Sequence, residues 1–258
     1  MVLDSIPEWA FLPGVILLVL AAIEAGYRLV KTQRFRIKPD SEALVSVVTG
    51  SVLGLLGFVL AFTFGIVYNR FEARKELVRE EANAIQRVWL RSDFLTEPDR
   101  TTTVGLLKQY LDLRLQAAEA NVLSEITHST KESTRIQHEL WDLAVTNVKK
   151  DRISGLNAPY IQSLNDLIDI HGRRLAVGVE DRIPIWIWVS LGTLLLLSMV
   201  TLGYFSGLKG THRSYTTIIL AISFSVMFLL ISALDRPLTG LFKASQQPLI
   251  NVKNLMSK

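Results

Sequence analysis

The 258-residue sequence contains no cysteine. This excludes a disulfide scaffold, every thiolate metal centre and every cysteine nucleophile. It leaves the compartment open, since a chain without thiols is indifferent to redox poise. Charge is missing too, but only in places. Asp, Glu, Lys and Arg make up 20% of the chain. Yet Val45–Tyr68, Ile183–Leu208 and Tyr215–Leu234 hold none of them, and Trp9–Leu29 has a single acid, Glu24, with Arg28 near its end. The net charge of +4 is small and scattered, so no nucleic-acid partner is expected. What is plentiful is apolar, 49% of residues, and that excludes a disordered chain.

A hydrocarbon core of roughly 30 Å takes about 20 apolar residues in a helix, and each of the four runs has that length. The first is interrupted by Pro13 and Gly14. Acids precede it and its basic residues follow it, the reverse of a cleaved signal, so it reads as a retained span. The loop Lys209–Ser214 makes the third and fourth spans an antiparallel pair. Trp9, Tyr27, Tyr68, Trp186, Trp188, Tyr204 and Tyr215 stand near span ends, where amphipathic rings favour the headgroup layer. The chain therefore reads as an all-α protein of the lipid bilayer. Residues 1–68 hold spans 1 and 2, 69–182 a water-exposed helical region, 183–234 spans 3 and 4, and 235–258 a C-terminal segment.

Residues 69–182 carry 17 basic and 18 acidic residues and show helical spacing with no strand pattern. No breaker separates Ile66 from Asp93, so the second span is expected to continue into this region, helped by the charges of Glu72, Arg74, Glu76 and Arg79. Thr96–Asp99 reads as a turn with Pro98 in a first helical turn, and the helix it opens reaches Leu123. Ser124–Ser133 is expected as a loop, Thr134–Lys150 as a helix, and Ala158–Val177 as another, capped by Asn157.

Chemistry is hard to find. The histidines His128, His138, His171 and His212 share no metal-ligand spacing. Glu125–His128 is half of a bundle di-metal motif without its second copy, and after His138-Glu139 the second zinc-protease histidine is replaced by Asp142. No catalytic residue, metal or cofactor is expected. Glu24 and Arg28, four residues apart, suit an ion pair at the interface.

The second span is more telling. Gly50, Gly54, Gly57, Ala61 and Gly65 share one face, the pattern by which lipid-embedded helices approach closely. One residue on, about 100° around the helix, Phe58, Phe62 and Ile66 form a separate bulky stripe. Periodicity alone leaves two readings open: a stripe against lipid, or a hydrophobic constriction around a symmetry axis.

The stretch Leu55–Lys75 resembles the second span of bestrophins, where a Leu-Leu-Gly run leads into Tyr-Asp-Arg-Trp-Trp-Glu-Ala-Arg. Tyr68, Arg70, Glu72, Ala73 and Arg74 match that ending, with one residue fewer between Arg and Glu. Ile183-Pro184 is similar to the bestrophin opening of the third span, and Asp235–Gly240 to the turn after the fourth. Closer still is the bestrophin-like family of bacterial membrane proteins, a domain of unknown function. Its pattern includes Asn69–Arg74, Glu80–Ala84, Leu164–His171 (with Asn165 and Asp169) and Leu234–Gly240 (with Asp235 and Arg236).

The resemblance implies a homo-oligomeric channel of the bacterial inner membrane, pentameric in bestrophins. It would pass small anions through a neck of Phe58, Phe62 and Ile66. The loop after Asp235 lacks the acidic cluster by which animal members hold calcium, so no calcium gate is implied. On sidedness two rules conflict: five basic residues between Arg28 and Glu42 favour a cytoplasmic loop, whereas the resemblance places the helical region and both termini in the cytoplasm, and the latter is followed. The rival reading is a membrane-anchored interaction or sensor protein whose helical region binds a partner.

Overall fold

A computed structural model describes residues 8–32, 42–120, 123–150, 157–180, 182–210, 215–236 and 242–257. Residues 33–41 of the first loop, 211–214 of the third, 151–156 and Pro237–Gly240 lie outside the described residues, as does the side chain of Trp9. The described chain is helical throughout: α1 Glu8–Lys31, α2 Glu42–Arg91, α3 Asp99–Glu119, α4 Leu123–Lys150, α5 Asn157–Leu175, α6 Ile185–Leu208, α7 Tyr215–Asp235 and α8 Gln247–Leu255. A 3-10 turn, Ser92–Phe94, follows α2, and a π-helical turn, Ala176–Glu180, follows α5.

Four of these helices, α1, α2, α6 and α7, are long and apolar enough to cross a membrane. The 50 residues of α2, at about 1.5 Å each, span about 75 Å, more than twice a hydrocarbon core of about 30 Å. Its charged second half must leave the lipid. The chain divides into two units, residues 1–69 with 182–242, and residues 70–181 with 243–258, and α2 contributes to both.

The first unit is built on α1, α6 and α7. Only 22%, 22%, 28% and 39% of the most apolar windows of the four spans are buried within the chain, so most of their surface is left for lipid or other chains. Association without a hydrophobic driving force needs close backbone approach, and α1 and α6 achieve it through glycine. A Cβ on Gly26 would overlap the backbone of Val200, one on Gly203 the backbone of Ile23, and one on Gly207 the side chain of Val30. Hydroxyls within the spans bond back to the preceding turn: Thr49 to the carbonyl of Val45 (2.7 Å), Thr63 to Val59 (2.8 Å) and Ser198 to Leu194 (2.7 Å). In lipid each would otherwise lack a partner. Glu24 accepts from Arg28 Nε at 2.8 Å, the expected pair.

Gly203→Val is expected to force α1 and α6 apart, at a cost of about 1–3 kcal/mol for overpacking. That corresponds to roughly 2–4 °C per kcal/mol in the melting midpoint of detergent-solubilised protein. Gly192→Ala in the same helix, where a Cβ meets nothing within 4 Å, should leave the midpoint in place or raise it. Equal midpoints for the two variants would refute the close crossing.

In the second unit, Val78, Ala82, Ile85 and Val88 of α2 meet Leu107, Tyr110 and Leu111 of α3, Ile136, Leu140 and Ala144 of α4, and Tyr160, Leu164 and Leu167 of α5 in one core. Two local expectations are corrected. Ser124–Ser133 is not a loop but the first turns of α4. Its buried face is made of Ile126, Ser129 and Ser133, and Ser133 satisfies its hydroxyl on the carbonyl of Ser129 at 2.7 Å. Serine in place of aliphatic residues hides the helical period. Pro98 precedes α3 rather than entering its first turn, and Glu97 caps the helix by accepting from the Thr101 amide (3.3 Å) and hydroxyl (2.7 Å). In the C-terminal segment, Leu249 and Val252 of α8, with Met256 just after it, lie in the core of the second unit.

Candidate functional site

Three groups of residues singled out in the sequence can be located. The first is the face of α2 in the first unit. The residues it buries are Val45, Thr49, Leu56, Leu60, Thr63 and Val67. Phe58 and Phe62 are 69% and 67% exposed and lie roughly 140° around the helix from that buried row. Ile66 is half-buried. The glycine stripe flanks the phenylalanines on the other side. Gly50, Gly54 and Ala61 are exposed and Gly57 and Gly65 half-buried, and a Cβ on any of the four glycines meets nothing within 4 Å. The stripe therefore does not pack inside the chain. Small residues show that a backbone can approach, not which one does.

The second group is at the end of α7. Asp235 is buried and accepts from the Ile183 amide (3.1 Å) and from Trp188 Nε1 (3.4 Å). One carboxylate thus joins the end of the fourth span to the start of the third. Trp188, expected among the interfacial rings, is instead buried, its ring tilted against Phe228. Arg236, also buried, lies over the ring of Phe11 at 5.2 Å.

The third group lies in the second unit. The motif Glu80–Ala84 on α2 and the motif Leu164–His171 on α5 come together there. Glu81, fully buried, receives Tyr110 Oη at 2.7 Å and Arg114 Nε at 2.9 Å on Oε1, and Arg174 Nη1 on Oε2. Because the Tyr110 hydroxyl donates to Glu81, its oxygen accepts from His171 Nδ1 at 3.1 Å and from Gln137 Nε2 at 3.5 Å. Burial would raise the Glu81 carboxyl, but the guanidiniums of Arg114 and Arg174, with His171 and Tyr110, outweigh it and hold it well below the usual carboxylate range. Burial and the Glu81 charge push the Tyr110 phenol well up. Burial, only partly offset by Glu81, lowers the His171 imidazole, which is neutral with Nδ1 protonated.

This is a structural hub rather than a reactive site. The carboxylate is fully engaged by donors from α3 and α5, and through the Tyr110 hydroxyl the cluster also takes in Gln137 of α4. The sequence pointed to His171 but not to Tyr110, Arg114, Gln137 or Arg174. A lone acid in an apolar row of α2 (Val78, Glu81, Ala82, Ile85) was the available signal.

On the outer side of the same two helices, Glu80, Asn83, Arg87, Asp166, Asp169 and Arg173 line an open groove of about 510 Å³. Glu80 pairs with Arg173 at 2.5 Å and Arg87 with Asp166 at 3.6 Å. Asp169 is exposed and Asn165 half-buried. Of the remaining motif residues, Tyr68 stacks on Phe64 at 5.9 Å, Asn69 is exposed, Arg70 half-buried and Arg74 buried, and Glu72 pairs with Lys75 at 2.9 Å. Glu125 and His128 share one small hollow with Gln116, and no group of three or more metal-ligating side chains occurs among the described residues.

The bestrophin-like domain profile matches residues 15–249. Two crystal structures of single-residue variants of a bacterial bestrophin homologue from Klebsiella pneumoniae resemble the chain. One, at 15% identity, covers 97% of this chain and 99% of the other with a TM-score of 0.64. The second, at 17% identity, covers 96% of each with a TM-score of 0.63. No curated protein sequence matches. With four membrane-crossing helices and a domain match that leaves out only the two ends, this multi-pass membrane protein belongs to the bestrophin-like family.

Proposed function

We propose that the chain is the protomer of a homo-oligomeric ion channel in a bacterial inner membrane, passing small anions along an axis lined by α2. One observation carries the reading: Phe58 and Phe62 project from the side of α2 that its own unit does not cover, next to a glycine stripe with open space beside it. A ring of copies uses both faces at once. Neighbouring α2 helices approach along Gly50, Gly54, Gly57, Ala61 and Gly65, and the phenylalanines, with Ile66 one turn on, turn to the axis as an apolar neck. A pentamer follows the family likeness. Purified protein in liposomes should pass chloride above the rate of protein-free vesicles. Tight vesicles with an intact oligomer would favour the sensor reading.

The helical region and termini are placed in the cytoplasm, and the absence of cysteine makes this checkable. Single probes Lys31→Cys and Lys131→Cys, treated in intact cells with an impermeant thiol reagent, should label only at position 31. Labelling at 131 would invert the assignment.

A further inference from the structure

The C-terminal segment is fastened to the second unit at two polar points. On the exposed flank, Lys253 Nζ lies 2.7 Å from Asp112 Oδ1. The other point is internal. Arg174, which binds Glu81 through Nη1, donates from Nη2 to Gln246 Oε1 at 2.8 Å, and Gln246 Nε2 closes onto the Ala244 carbonyl at 2.7 Å. A single guanidinium thus connects the buried carboxylate to the residues leading into α8, and a histidine sits in the same cluster.

The groups around His171 are Glu81 from α2, Tyr110 and Arg114 from α3, Gln137 from α4 and Arg174 from its own helix. One carboxylate already faces two guanidiniums. A proton on His171 adds a third cation that competes for it, since Nδ1 is 4.0 Å from Glu81 Oε1. The second N–H so formed, at Nε2, is buried and has no protein partner among the described residues. Arg114, with a side chain 5% exposed, is enclosed, whereas Arg174, in the last turn of α5 and 13% exposed, is the cation with a way out to water.

We propose that His171 is an acid-operated latch for the C-terminal segment. On protonation Arg174 leaves Glu81 for solvent, its bond to Gln246 is lost, and residues 242–257 detach, uncovering Leu249, Val252 and Met256 together with the core surface they cover. The device stands apart from the neck on α2 and holds whether or not the protein conducts.

The direction follows from linkage. Burial lowers His171 from its ordinary 6.5, so the proton is taken up more readily once the cluster opens. Opening then becomes more favourable as the pH falls below that value, by at most about tenfold per pH unit.

Hydrogen exchange of the full-length protein in detergent, corrected for the intrinsic pH dependence of amide exchange, reads this directly. Between about pH 7.5 and about pH 5.5, still above the range where ordinary carboxylates protonate, opening of α8 should rise about five- to tenfold, with α1, in the other unit, unchanged. His171→Asn keeps a donor for Tyr110 and takes up no proton, so its α8 exchange should not vary over that range. Gln246→Ala should raise α8 exchange at the upper pH and blunt the response. A flat wild-type profile, a His171→Asn response as steep as wild type, or unchanged protection in Gln246→Ala would each overturn the latch. If His171→Asn loses protection throughout the chain, Gln246→Ala decides alone.

Discussion

Phe58→Ala and Phe62→Ala should each raise ion flux through reconstituted protein, and the double variant should raise it most, by about tenfold or more. A tenfold gain corresponds to about 1.4 kcal/mol of barrier. An apolar constriction excludes ions because water leaves it and nothing replaces the hydration shell. Shortening two rings per protomer widens the passage and readmits water. The same change on a lipid-facing stripe removes only contacts that acyl chains replace, so conductance would not move. The measurement is single-channel conductance or vesicle flux, with the oligomeric state of each variant checked in parallel. The double variant is safe for the protomer, because both side chains are more than two-thirds exposed and their removal opens no cavity inside it. Wild-type conductance in an intact double variant would move the stripe to lipid.

The spans were legible because burial in lipid leaves a long, uncharged signature: the apolar runs match α1, α6, α7 and the start of α2 to within a few residues. The continuation of α2 to Arg91 was legible too, from the absence of any breaker. Less visible was what the helices do with their faces. On α2 the small residues drew attention, yet the row buried within the chain is Leu56, Leu60, Thr63 and Val67. The glycines that bring two backbones together are Gly26, Gly203 and Gly207. The four-residue spacing of Gly203 and Gly207 was the signal for that crossing.

In the second unit the lost information is of another kind. Glu81, Tyr110, Arg114 and His171 are spread over about ninety residues and meet only because α2, α3 and α5 pack around one core. No local spacing encodes that. Charged and polar residues of this kind usually lie on a solvated face. The two motifs on α2 and α5 do converge, and they do so on both sides of the helix pair. Glu81 and His171 turn inward, Glu80 and Asp169 turn to the outer groove. The C-terminal helix escaped for a simpler reason. Leu249, Val252 and Met256 occupy barely two turns, too short a run for a period to stand out.

Glu81→Gln is expected to be the most destabilising conservative change in the second unit. The amide is nearly isosteric and keeps two polar atoms, so packing is preserved and only the charge is lost. What remains is Arg114, a cation with a side chain 5% exposed and no carboxylate, and breaking a buried pair in this way costs about 3–5 kcal/mol. Arg174 reaches solvent and adds less. At roughly 2–4 °C per kcal/mol for a chain of this size, the melting midpoint in detergent should fall by about 6–20 °C, read by the fluorescence of Trp89 and Trp141, which pack on this core. Glu76→Gln is the control. Its bond to Arg79 at 2.9 Å joins two half-exposed side chains, and such pairs are worth at most about 1 kcal/mol. Acid should act in the same direction as Glu81→Gln. Glu81 is depressed from its ordinary 4.5 and His171 from 6.5, so in both cases the unfolded state binds the proton more tightly. Stability is therefore full above about pH 6.5. It falls first as His171 becomes protonatable on unfolding, then more steeply below about pH 4.5 as Glu81 does. In Glu81→Gln the second loss should be shallower, leaving only what other depressed carboxylates such as Asp99 contribute. The double variant Glu81→Gln with Arg114→Met, which removes the stranded cation, should regain part of the midpoint. A midpoint within about 2 °C of wild type for Glu81→Gln, under 1 kcal/mol by the same conversion, would mean that the carboxylate does not hold these helices together.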